Sequence, residues 1–235
     1  MTKFLIVNAD DFGYSHNINK GIIEAYEKGI VTSTSVMVNA IAANEAKDLT
    51  RYPDLSVGLH FELSEVANVK AELEKQIEKF VAIVGKMPDH LDTHKRHTTD
   101  KGIKEVLEEY ARSHNIPVRN FNAKYIGSFG INSNNTSVAQ LKQSIDEVAD
   151  EYNELMTHAG YSDEYLREHS SYNDSREQEL VSICDPSVKQ HLATQNIGLI
   201  NWRQIASVAE SDSEPPEKSV LFNIAIKNLG GGNPK

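Results

Sequence analysis

The chain has 235 residues, 39% hydrophobic and 25% charged, with a formal net charge of −10. That length fits one large domain or two small ones, the composition supports a buried core and excludes wholesale disorder, and the acidic balance argues against nucleic acid or an anionic membrane surface as a partner. Cys184 is the only cysteine, so no internal disulfide can form; no apolar run approaches a membrane span, and Met1-Thr2-Lys3 leads straight into an apolar strand instead of a signal peptide, so the cytoplasm is the expected location.

Phe4 to Val7 reads as a buried parallel strand that runs into Asn8-Ala9-Asp10-Asp11-Phe12-Gly13. On an ideal strand Asp10 and Asp11 point to opposite faces, so they share one site only if the strand ends there, with Gly13 supplying the freedom to turn. A turn that simply favours Asp and Gly accounts for the same residues. Ile18, Ile22, Ala25 and Tyr26 then recur at helical spacing until Gly29, and Val31 to Val38 reads as a second strand. A short helix, residues 44–49, precedes Pro53. From Leu55 to Leu63 the pattern alternates: Val57, Leu59, Phe61 and Leu63 share one face, while Gly58, His60 and Glu62 share the other and would face inward in a barrel, with Gly58 leaving room for something to approach.

Ser64 is the expected cap of a long helix carrying Val66, Val69, Leu73, Ile77, Phe80, Val81 and Val84, which Gly85 ends. In Met87 to His97 a strand would put His90, Asp92 and His94 on one face, and three polar groups facing inward need a reason. Asp100 caps a helix with Ile103, Val106 and Leu107; Ile116 to Arg119 reads as a short strand; residues 121–135 read as a loop with one short strand; and Ser137 opens another helix. Glu154 to His158 reads as a strand ending in His158-Ala159-Gly160. After a polar loop, two helices flank Asp185-Pro186, and Ile197 to Trp202 is a late strand. Residues 207–219 are acidic and polar, Val220 to Ile226 reads as a terminal strand or a partner-binding segment, and Gly230-Gly231-Gly232 is flexible. Seven or eight strands alternating with helices predict an α/β fold: a parallel (β/α) barrel, TIM-barrel-like and a single domain over residues 1–206, with a divergent, partly flexible tail over 207–235.

Asp11, His60 and His94 form a candidate ligand set. One carboxylate and two imidazoles suit a borderline divalent cation and leave a position open for water. Asp10 stands beside them as a base, and His158 suits the acid that protonates a departing amine, so the set fits amide hydrolysis. Each residue alone has a plainer explanation: a lone histidine near a strand end is more often structural, and His90 is read as a hydrogen-bonding group, not a ligand.

The stretches Leu5 to Gly13, Gly29 to Ser35, Val57-Gly58-Leu59-His60, Pro88 to His94, Ile116 to Arg119 and His158-Ala159-Gly160 occur in an order that closely resembles the YdjC-like carbohydrate deacetylases, which include chitooligosaccharide deacetylase. The resemblance spans about residues 3 to 202 and implies a distorted barrel and one divalent metal ion (Zn, Mg, Mn or Co) on Asp11, His60 and His94. It also implies loss of acetyl from an N-acetylglucosamine-type mono- or oligosaccharide, and a homodimer. By similarity to the wider polysaccharide deacetylases it makes Asp10 the base and His158 the acid. Arg119 or Arg176 is implied as the group that orients the base or the substrate, and Arg96, which stands where the family has a histidine, falls at a position expected to line the substrate cleft and is a candidate substrate-binding residue with them. The family's Asp-Ser-His-x-His-Val-His run reads here Asp92-Thr93-His94-Lys95-Arg96-His97-Thr98, its His-Pro-Gly reads His158-Ala159-Gly160, and the segment between Leu63 and Val66 is short. These departures keep two rivals open: a barrel that binds sugar without chemistry, and a hydrolase of another acyl or phosphoryl substrate on the same ligands.

Overall fold

The computed structural model describes residues 3–63, 68–94, 100–131 and 135–209. Ser64, Arg96, His97 and the segment Val220 to Ile226 lie outside them. Among the described residues, seven strands form one parallel sheet: β1 (Lys3–Phe12), β2 (Ser33–Val36), β3 (Ser56–Phe61), β4 (Leu91–Thr93), β5 (Lys124–Ser128), β6 (Tyr152–Thr157) and β7 (Ile197–Leu199). Their order is β4-β3-β2-β1-β6-β5, with β7 beside the first residues of β1. Every pairing is parallel, as the alternation of strands and helices requires. Single bridges, Leu91 to Val118 and Arg119 to Ala123, extend the sheet beyond β4 toward β5, and the sheet curls into a distorted half-barrel. The expected strand over 116–119 is reduced to these bridges.

The helices are α1 (His16–Lys28), α2 (Val69–Val84), α3 (Lys101–His114), α4 (Val138–Asp146), α5 (Glu164–His169), α6 (Ser175–Ile183), α7 (Pro186–Thr194) and α8 (Trp202–Ala209), with a 3₁₀ helix at Ala43–Arg51. Gly29 and Gly85 close α1 and α2, and Asp100 and Ser137 cap α3 and α4, as their sequence signals predict. Three local readings are corrected. Helix α2 starts at Val69 with Asn68 as its cap. The polar loop after residue 160 contains α5. The late strand stops at Leu199, and Trp202 opens α8 because its buried indole packs with Ile6, Ile200 and Ile205 in a second small core.

The main core is a single cluster that joins the outward faces of the strands to the helix stripes; Val57, Leu59 and Phe61 of β3 all belong to it. Their neighbours Gly58 and His60 face the other way. The space above Gly58 is filled by His90, whose ring atoms lie 2.3–2.6 Å from where a Cβ on Gly58 would be. His90 is fully buried and stacks on Trp202 at 5.0 Å between centroids. It therefore plugs the barrel interior, which is what Gly58 makes room for.

Candidate active site

β1 does not end at its carboxylates. Between Ala9 and Phe12 it advances three residues against two of β2, a β-bulge that re-aims a side chain. Asp11 takes φ 71°, a left-handed conformation that aspartate tolerates better than most residues, and Gly13 follows at φ 100°. The bulge cancels the strand's alternation, so Asp10 and Asp11 both reach one cavity of about 670 Å³. The sequence reading required the strand to stop; the bulge achieves the same result within it.

Asp11, His60 and His94 meet at the floor of that cavity. Asp11 Oδ1 lies 3.3 Å from His60 Nε2 and 3.3 Å from His94 Nδ1, and one atom from each of the three residues lies within 4.8 Å of the others. His60 comes from β3, next to β4, and its Nδ1 is 2.6 Å from Asp92 Oδ1. That contact directs Nε2 toward Asp11. Burial opposes charge on His60, but the Asp92 and Asp10 carboxylates outweigh it and hold its pKa well above the usual histidine range. Burial likewise opposes the Asp11 anion. Arg176, at 2.7 Å from Oδ2, and the two imidazoles nevertheless hold Asp11 well below the usual carboxylate range.

Asp10 is clamped by Arg119 through two parallel bonds, Nη1 to Oδ2 at 2.8 Å and Nη2 to Oδ1 at 2.7 Å. Asn8 Nδ2 adds a bond of 2.8 Å to Oδ1. Arg119 also reaches Asp92 at 2.9 Å and, through Nε, Glu154 at 2.8 Å. Three carboxylates thus share one guanidinium. Burial, with the Asp92 and Asp10 charges, outweighs Arg119 at Glu154 and pushes that carboxyl up to about 7. His158 lies across the cavity at the end of β6. Burial pushes its pKa down to about 4, so the resting imidazole is neutral at pH 7.

All the predicted site residues except Arg96 are therefore brought to one cavity, and Arg96 lies outside the described residues. Asp10, Asp11, His60, His94, His158, Arg119 and Arg176 all line it. Sequence reasoning missed Asp92 as the anchor of His60, although its place between His90 and His94 on an inward face carried the signal. It also missed Asn8, which stands two residues before Asp10 on the same face of β1. His169, the exposed last residue of α5, lines the cavity with Ser170 and Ser171. Tyr14, Tyr125 and Tyr172 give the wall aromatic surface, for which the sequence held no signal.

The family model of the YdjC-like proteins matches residues 4–68 and 64–194. A carbohydrate deacetylase of Clostridium beijerinckii is 32% identical, over 86% of this chain and 99% of the relative. A chitooligosaccharide deacetylase of Yersinia pestis is 30% identical, over 85% and 98%. Among solved structures, a candidate cellobiose-phosphate cleavage protein of Enterococcus faecalis superimposes with a TM-score of 0.76 at 24% identity, covering 86% of this chain and 98% of the other. A family 4 carbohydrate esterase of Streptomyces lividans in complex with acetate gives 0.57 at 14% identity, covering 84% and 91%. The two structures support the same barrel.

Proposed function

The chain belongs to the YdjC-like family, and from that premise we propose that it is a metal-dependent hydrolase that removes acetyl from N-acetylated amino sugars. The observation that carries this reading is the meeting of Asp11, His60 and His94 at one point, with Asp10 and His158 flanking it. The donor set fits a divalent cation. One carboxylate oxygen and two imidazole nitrogens suit Zn, Mn or Co better than Mg, which prefers oxygen ligands. His60 already has Nδ1 engaged by Asp92, the arrangement that orients a metal-ligating imidazole. A second grouping, Asp10, His60 and Asp92, lies deeper, but Arg119 contacts both of its carboxylates and supplies the cationic charge there. One ion is therefore the fitting number.

Such an ion supplies Lewis acidity, which makes water a better nucleophile and polarises the scissile carbonyl. The chain handles the protons. Asp10 Oδ2 accepts one bond from Arg119 and keeps a lone pair for a water proton. His158 enters neutral, so it must gain the proton it passes to the amine nitrogen. The attacking water releases two protons over the reaction: one goes to Asp10, which gives it up afterwards, and the other reaches the amine nitrogen by way of His158. A C–O bond forms, the C–N bond breaks, and acetate and a free amine leave. The amine product is cationic at neutral pH, which suits an acidic protein.

The test is acetate release from N,N′-diacetylchitobiose after chelation and readdition of Zn, Co, Mn or Mg in turn. Activity is expected only with metal, and Asp11→Asn is expected to lose bound metal and turnover together. Full turnover in the chelated protein would overturn the metal role. Saturable sugar binding without acetate under any metal would instead indicate a barrel that binds and does not react.

A further inference from the structure

His158 lacks what His60 has. Its Nδ1 is buried with no hydrogen-bond partner among the described residues, so no described bond at that nitrogen fixes the ring. Its described aromatic neighbour is Tyr172, edge to face at 5.7 Å and 69°. Tyr172 in turn is held by Glu179, a fully buried residue of α6 that does not line the cavity. Glu179 Oε1 accepts the Tyr172 hydroxyl. Its Oε2 accepts the Thr157 hydroxyl at 2.6 Å and the backbone N–H of His158 at 2.8 Å. One carboxylate thus ties the end of β6 to the loop between α5 and α6. A Cβ on Gly130 would lie 2.3 Å from both Glu179 Oε1 and the Tyr172 oxygen, so the link is sealed on that side.

The same loop carries the other flank of the site. The backbone oxygen of Tyr172 accepts Arg176 Nε at 2.9 Å, and the Arg176 guanidinium lies 5.7 Å from the Tyr172 ring centroid. A buried carboxylate is costly, and an apolar residue could fill the same volume at less expense in stability. Its use here calls for a reason beyond packing.

We propose that Glu179 is a positioning residue, which sets the orientation of His158 and of Arg176 through Tyr172. This rests on the reading of His158 as the group that protonates the leaving amine. Tyr172→Phe keeps the ring and removes the link; Glu179→Ala removes the hub. Glu179→Gln can still accept from Thr157 and His158 through its amide oxygen and can donate to the Tyr172 oxygen.

The experiment compares the three variants and the Tyr172→Phe/Glu179→Ala double variant in the full chain. Acetate release is read as kcat and KM, and the His158 ring ¹⁵N resonances are read in metal-free protein. Tyr172→Phe and Glu179→Ala are each expected to lower kcat by roughly tenfold with little change in KM. The double variant is expected to be no worse than the poorer single one, because the two residues act as a unit, and Glu179→Gln should recover most of the loss. The His158 resonances should move in Tyr172→Phe and return in Glu179→Gln. Unmoved resonances in folded Tyr172→Phe, or additive losses in the double variant, would overturn the proposal. If Glu179→Ala does not fold, the Phe and Gln variants decide. If the wild type releases no acetate, the deacetylase reading fails, and the resonances alone decide the role of Glu179.

Discussion

His60 Nδ1 sits 2.6 Å from a carboxylate that no solvent reaches, and that short contact determines which nitrogen faces Asp11. Asp92 is therefore the residue whose chemistry is easiest to isolate. Asp92→Asn preserves shape but weakens the acceptor on His60, and loss of such outer partners typically costs about 10–100-fold in metal affinity. We expect that range for zinc, measured by competition with a chromogenic chelator, with Asp11→Asn abolishing binding altogether. Wild-type affinity in Asp92→Asn would show that His60 needs no anchor.

At the level of elements, the site depends on how α1 packs against the loop after β6. Asn19 of α1 accepts the backbone N–H of Gly13 at 2.5 Å through its side-chain oxygen and donates to Ala42 O and Glu45, fastening the turn after the β1 bulge. Two residues on, Gly21 faces Gly160: a Cβ on Gly21 would lie 2.5 Å from the Gly160 Cα, and one on Gly160 would meet the Ile18 side chain at 2.6 Å. The requirement is close approach, not an unusual φ. Glycine to alanine inside a helix ordinarily gains about 0.5–1 kcal/mol. Gly21→Ala should reverse that sign, because the atom it meets is backbone and cannot swing aside, and should cost roughly 1–3 kcal/mol. Gly160 follows His158 by two residues, so turnover should fall as well. Chemical denaturation gives the first number; a stabilised Gly21→Ala would show that the helix and loop can separate freely.

Across the whole molecule, the barrel interior concentrates charge where three carboxylates surround Arg119. Glu154 carries the consequence, with a pKa of about 7 in the folded state against an ordinary 4.5. Between those values the folded chain holds a proton that the unfolded chain has lost. The contribution is therefore fully present below about pH 4.5 and is lost as pH rises through 7. Glu154→Gln removes it. Relative to that variant, the wild type should lose on the order of 3 kcal/mol of stability from pH 4.5 to 8. Urea midpoints at the two pH values measure this, and a constant difference would place the shared proton elsewhere. His158 works in the opposite direction. Buried neutral with a pKa near 4, it favours the fold above the ordinary histidine value of 6.5, and that contribution is lost as pH falls toward 4.

The order of strands and helices, the inward placing of His60, Asp92 and His94, and several of the caps were legible in the sequence, because periodicity and cap chemistry act over a few neighbouring residues. Membership of the YdjC-like family was legible too, since ordered motifs survive in the linear chain. Tertiary structure alone decided how Asp10 and Asp11 share a cavity, since a bulge exists only relative to the partner strand. It alone assigned Arg119 to three carboxylates and Asp92 to His60, contacts that join residues up to 109 positions apart. Pairings at that range leave no local pattern; they arise when a closing sheet buries the charges and each must find a partner within the barrel or remain unsatisfied.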